Sequence, residues 1–243
     1  MNTFPLKSLS DNPKSAIQNR KWLGLSVMAV VLAVCGAVAQ AQQEAIRKIG
    51  WLGISPASQS GGFELTRREL RALGYVEGKN IAFEYRSAEE KLDRLPDLAD
   101  ALVRLKVDVL LTAGTSEALA LKNATRTIPI VFHAVTDPVA AGLVESLARP
   151  GGNITGLSDI AAVLAGKRLE LLKEAIPKLS RVAVLWNPQD AGSAQQWKES
   201  QAAARELGLQ LHSMGVSSAG QFESAFNEAA KARSDALAVV AQS

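Results

Sequence analysis

Residues 47–53 read RKIGWLG, and residues 181–187, 134 positions later, read RVAVLWN. Each is a short apolar run headed by arginine, with the length and composition of a strand buried on both faces. The likeness extends beyond the two runs. Leu73-Gly74 closes the first amphipathic stretch after RKIGWLG, and Leu207-Gly208 closes its counterpart at the same offset. Each glycine suits the left-handed position just past a helix end. A strand, a helix ending in Leu-Gly and a second strand therefore occur twice, in one order.

Between the two copies the alternation continues. FELTRRELRAL (63–73) reads as a helix, NIAFEY (80–85) as a strand, and LDRLPDLADALVRL (92–105) as a helix with Pro96 tolerable in its first turn. DVLLTAG (108–114), SEALALKNAT (116–125) and IPIVFHAV (128–135) then read as strand, helix and strand. Apolar strands alternating with helices predict an α/β fold, with parallel sheets covered by helices on both faces. Two similar α/β lobes are expected: residues 46–157 and residues 158–243. The second copy stops at Ser243, after ALAVVAQS, where the first copy goes on to a further helix and strand. Lobe two is therefore expected to be incomplete, with an open edge and a less well covered sheet.

The stretch TDPVAAGLVESLARPGGNITG (136–156) lies between the copies. It predicts a turn at Asp137-Pro138, about two turns of helix, and then either a flexible break or a built crossing at Arg149-Pro150-Gly151-Gly152-Asn153.

Residues 1–41 carry four basic side chains against Asp11, and the remainder balances at 23 basic and 23 acidic residues. Arg20-Lys21, the apolar run WLGLSVMAVVLAVCGAVA and the small-residue sites in AVAQAQQ have the order of a secretory signal peptide. Cleavage is expected after Ala41, with Ala39 as the alternative, giving a periplasmic product. A retained anchor and a lipoprotein at Cys35 are the rival readings. Val34 stands where a lipoprotein signal wants a small residue.

The balanced charge, with no basic cluster interleaved with aromatics, argues against nucleic-acid binding. Cys35 is the single cysteine and the histidines are His133 and His212, so no cysteine or zinc chemistry is expected after processing. His133, inside an apolar strand, reads as a packed or hydrogen-bonded residue and not a ligand. No G-x-G-x-x-G follows the first strand, and no G-x-x-x-x-G-K-[ST] occurs. Glu69, Glu170 and Glu174 fall on charged helix faces. No cofactor, metal or catalytic set is expected.

Open parallel sheets bind ligands beyond the carboxyl ends of their strands. Those ends carry SPASQSGG (55–62), GTSEA (114–118), TDP (136–138) and NPQDAGS (187–193). Thr115 and Ser116 open a helix, where free N–H groups and the helix dipole favour an anion such as a carboxylate. They serve equally as N-caps. Asp137 either meets a ligand ammonium or caps the helix after Pro138.

TDPVAAGLVESLARPGGNITGLS, GKRLELLKEAIPKLSRVAVLWNP and LRALGYVEGKNIAFEYR resemble the tryptophan/tyrosine-binding-protein-like family of ABC-transporter solute-binding proteins. The likeness runs from Arg47 to Ser243. It implies a type I periplasmic binding protein: two Rossmann-like lobes, 46–157 with the first crossover and 158–243, joined by crossover strands and closing on a small ligand, an amino acid or related organic acid. RPGGNITG becomes the first crossing, with Ile154-Thr155 in the hinge. The resemblance makes Ser55, Ser58, Thr115, Ser116, Asp137 and Asn187 the candidate ligand contacts. It implies a membrane permease and its ATPase as partners. An exported enzyme and a sensory ligand-binding module on the same fold are the alternatives.

Overall fold

A computed structural model describes residues 46–240. The expected export signal and Cys35 lie outside the described residues. The chain runs β1 (Arg47–Gly53), α1 (Gly61–Ala72), β2 (Ile81–Ser87), α2 (Leu95–Arg104), β3 (Val109–Ala113), α3 (Thr115–Ala124) and β4 (Ile130–Thr136). It continues with β5 (Ile154–Asp159), α4 (Ala161–Ala175), β6 (Arg181–Trp186), α5 (Ala191–Leu207), β7 (Gln210–Gly215), α6 (Phe222–Lys231) and β8 (Ala236–Val239). The strands form two parallel sheets, ordered β2-β1-β3-β4-β5 and β7-β6-β8.

The repeated heptads are the two central strands. In β1, Gly50 and Leu52 face the helices α2 and α3; a side chain at Gly50 would meet Leu110, Val107 and Leu102. Trp51 faces the other way. There Phe63 of α1 sits in an aromatic cluster, with ring centroids 5.3 Å from Trp51, 5.3 Å from Phe83 and 4.8 Å from Tyr85, all edge-on. Lobe two repeats the arrangement with aliphatic residues. Val182 and Val184 pack with Leu169 and Ala204 beneath α4 and α5, while Ala183 and Met214 pack with Ala225 and Ala229 of α6. Gly74 and Gly208 both have positive φ, as the Leu-Gly pairs predict. β8 is an outer strand, and Leu237 and Val239 on it are 43% and 59% exposed.

The segment after β4 is a succession of turns, not the two helical turns expected. Asp137 has φ +41° and Gly142 φ +70°, and two such left-handed residues six positions or fewer apart break a helix before it can propagate. The crossing itself is built. Asn153 Nδ2 donates to the carbonyls of Ile128, at 2.7 Å, and Thr125, at 3.4 Å, and Ile130 N donates to Asn153 O at 2.8 Å. β5 then pairs along β4 as far as Asp159, two residues past the expected lobe boundary.

Gly156 on β5 faces Phe132, and a Cβ there would fall on the Phe132 carbonyl oxygen. Backbone cannot swing aside as a side-chain tip does. Gly156→Ala is therefore expected to destabilise by roughly 1–3 kcal/mol, read as a lower denaturant midpoint at unchanged m-value. A midpoint equal to that of the parent would show that β4 and β5 separate without cost.

Candidate functional site

In each lobe the chain leaves the central strand toward one side and returns on the other, and a crevice opens at the strand ends where that reversal occurs. In lobe one the reversal lies between β1 and β3. A cavity of about 210 Å³ opens there, lined by Trp51, Gly53, Ser55, Tyr85, Glu90 and Glu117 among others. In lobe two it lies between β6 and β8. A cavity of about 460 Å³ opens there, lined by Trp186, Asn187, Val216, Phe222, Val239 and Val240 among others. Glu90, in the loop after β2, lines both. The two cavities therefore meet at Glu90 as one cleft, with the carboxyls Glu90 and Glu117 on the lobe-one side and Trp186, Val216, Phe222, Val239 and Val240 beside Asn187 and three serines on the lobe-two side.

Two of the six residues singled out from sequence line this cleft. Ser55 Oγ donates to Glu90 Oε1 at 2.7 Å, and its carbonyl accepts from the Tyr85 hydroxyl at 2.8 Å. Asn187 lines the lobe-two cavity while its Oδ1 accepts from Gln189 N at 3.0 Å. Ser58 is exposed on the turn after β1, and Ser60 lines the cavity from that loop instead. Asp137 sits on its turn, where Oδ1 accepts from Ala140 N at 2.9 Å.

Thr115 and Ser116 are engaged by the protein. Thr115 is buried, and its Oγ1 accepts from Thr136 N at 3.1 Å. Thr136 Oγ1 in turn lies 3.3 Å from Asp159 Oδ1, which ties α3 through β4 to the crossing strand. Ser116 bridges the lobes. Its Oγ donates to Asp190 Oδ2 at 3.0 Å and accepts from Ala191 N at 3.0 Å. Asp190 Oδ1 accepts from Ser193 N at 2.7 Å, so one carboxylate caps α5 and receives a hydroxyl from the other lobe.

Sequence reasoning passed over Glu117. It lies two residues after the helix start in GTSEA, where an acid ordinarily meets solvent and the helix dipole. Here it is only 2% exposed. Its Oε2 has no hydrogen-bond partner among the described residues. Burial pushes its carboxyl up to about 8, with Asp190 and Glu90 adding to the rise and a bond to its own backbone N–H opposing it. Trp51 Nε1, on the same cavity wall, is a second buried polar atom without a partner among the described residues. Burial also raises the Tyr85 phenol and the Asp190 carboxyl and lowers His133, whose ring lies 5.8 Å from Trp51. Asp190 could have been found from the D-x-x-S spacing of an N-cap. Nothing local distinguishes Glu117 from a solvated helix acid.

The raised Glu117 carboxyl has a consequence for stability. Between the unfolded value of 4.5 and the folded value near 8, the unfolded chain has lost a proton that the folded chain keeps. Stability of the unliganded protein should therefore fall through that window, by at most about 1.4 kcal/mol per pH unit for one proton. Glu117→Gln lacks this component. Its stability relative to the parent should rise from pH 5 to pH 8 and level off above, measured by urea unfolding across pH. Parallel curves would mean that the carboxyl ionises as freely in the fold as outside it.

Comparison with known proteins agrees with this geometry. Residues 59–242 match the family model described as ABC transporter substrate binding protein. A tyrosine-binding protein of Clostridioides difficile (strain R20291) is 34% identical over 160 residues, which is 66% of this chain and 46% of that protein. The solved structure of a conserved domain protein from Vibrio cholerae is 34% identical with TM-score 0.69, covering 79% of this chain and 64% of that one. That of an ABC domain in complex with L-Trp from Streptococcus pneumonia is 27% identical with TM-score 0.68, covering 80% and 65%. A leucine-binding protein from Thermotoga maritima, at 15% identity and TM-score 0.61, shares the fold. The chain thus spans less than two thirds of the length of the first relatives it matches. On sequence and architecture together, it belongs to the family of ABC transporter substrate-binding proteins, with the type I periplasmic binding fold.

Proposed function

We propose that the chain captures an amino acid with an apolar or aromatic side chain in the cleft between its lobes and delivers it to an ABC importer. One observation carries this reading: the carboxyls Glu117 and Glu90 line the lobe-one cavity, while Trp186, Val216, Phe222, Val239 and Val240 offer apolar surface in the lobe-two cavity that Glu90 also lines. Such a cleft suits a ligand with one charged end and one apolar end. The combined size lies in the range of small-molecule sites, roughly 300–1,000 Å³. Relatives that bind tyrosine and L-Trp support an amino acid of this type.

The role is non-catalytic. Relatives in the family are binding proteins, which supports this reading. Capture in the periplasm, after removal of residues up to about Ala41, and hand-over to a membrane permease with its ATPase complete the proposal. The basic, apolar and small-residue order of the N-terminus supports the first step.

Calorimetric titration with the twenty L-amino acids tests the reading. One or a few with apolar side chains should bind at one per chain and be recovered unchanged. Chemical conversion of the bound solute, or silence across the whole set, would overturn it. Phe222, 42% exposed on the wall of the lobe-two cavity, should contact the apolar end of the ligand. Phe222→Ala should weaken binding by roughly tenfold or more at unchanged melting temperature. Unchanged affinity would place the side chain elsewhere.

A further inference from the structure

The charge of the cleft is one-sided. Glu117 and Glu90 both line the lobe-one cavity, and among the described residues neither cavity is lined by lysine or arginine. Glu117 is 2% exposed, and its Oε2 has no partner among the described residues. A buried carboxyl left without a partner is costly, and a cation at that oxygen removes the cost. The unpartnered Trp51 Nε1 on the same wall donates a hydrogen bond but carries no charge, so it cannot offset two carboxylates. Thr115 and Ser116, the residues that would hold a carboxylate at the α3 N-terminus, are engaged with Thr136 and Asp190.

Building on the transport reading, we infer that Glu117 is the ammonium-binding residue of the cleft: the protonated amine of the ligand sits at Oε2, and solutes bearing only a carboxylate are not accepted. The charged groups acting on Glu117 are Asp190, at the head of α5, and Glu90, in the loop after β2. Both are acidic. Tyr85 of β2 lines the same cavity and the His133 ring of β4 lies 5.8 Å from Trp51 on its wall, and burial favours the neutral form of each. In the empty site below about pH 8 the Glu117 carboxyl therefore holds a proton. Binding a protonated amine leaves a carboxylate facing an ammonium and releases that proton to solvent, one for each ligand bound. Affinity should accordingly rise by up to about tenfold per pH unit until Glu117 is ionised in the empty site.

Two series test the assignment in the purified protein: L-tyrosine, tyramine and 3-(4-hydroxyphenyl)propionate, and L-tryptophan, tryptamine and indole-3-propionate. Titration at pH 6.5 in buffers of differing ionisation enthalpy counts protons, and the same count is made for whichever of the twenty amino acids binds. The amino acid and the amine are expected to bind with release of close to one proton, and the propionate at least about a hundredfold more weakly. In Glu117→Gln, affinity for the amine should fall at least about tenfold and lose its rise with pH. A propionate that binds as tightly as its amino acid would overturn the assignment, as would binding without proton release or an unchanged pH profile in Glu117→Gln. Those results leave the transport reading standing. Silence from both series and from all twenty amino acids overturns both.

Discussion

The contact on which the cleft depends is the one between Ser116 Oγ and Asp190 Oδ2. β5 is the covalent link between the lobes, and a single strand does not fix the distance between two facing sheets. Ser116 supplies the second point of attachment: its hydroxyl donates to the Asp190 carboxylate and accepts from the Ala191 amide. Because Asp190 also caps α5 through Ser193, the position of the second lobe is transmitted to an entire helix and not to a loop. A charge-assisted hydrogen bond in a buried setting is strong enough to hold such an arrangement, at about 1.5–3 kcal/mol, and weak enough to open.

The same contact explains the electrostatic character of the site. Asp190 is buried with its carboxylate accepting from the Ser116 hydroxyl and the Ser193 amide, and Glu117 lies on the same helix as Ser116, with no lysine or arginine among the described residues lining its cavity. Burial raises the Glu117 carboxyl most, and the charges of Asp190 and Glu90 add to the rise, so Glu117 keeps its proton. Under the proposed function this is a latent negative site that an incoming cation would release, with Val216 and Phe222 across the cleft placed to receive the remainder of the ligand.

Most of the fold was legible because it rests on local patterns. The heptads at 47 and 181 became the central strands, and Leu73-Gly74 and Leu207-Gly208 became helix ends with positive φ. RPGGNITG is a built crossing because Asn153 anchors it to the end of the preceding helix–strand unit. The expected helix after Asp137 failed since propensity alone cannot reveal two left-handed residues, Asp137 and Gly142, in a short segment. The site was legible as a set of strand ends but not residue by residue. Ser55 and Asn187 line the cleft, whereas Ser116 was noticed for its hydroxyl and helix position and proves to bridge the lobes. Glu117 and Glu90 escaped notice because burial of a helix acid, and convergence of a loop on two lobes, are properties of tertiary packing.

Residue-resolved amide exchange at Ala191 tests the bridge most directly, because that amide is covered only by a side chain of the opposite lobe. In the parent protein it should be protected, and in Ser116→Ala it should exchange about tenfold faster or more, the equivalent of one lost hydrogen bond. The Ser193 amide, bonded to Asp190 within lobe two, should keep its protection in both. Equal exchange at Ala191 in the two proteins would contradict a cleft held closed by Ser116 and Asp190.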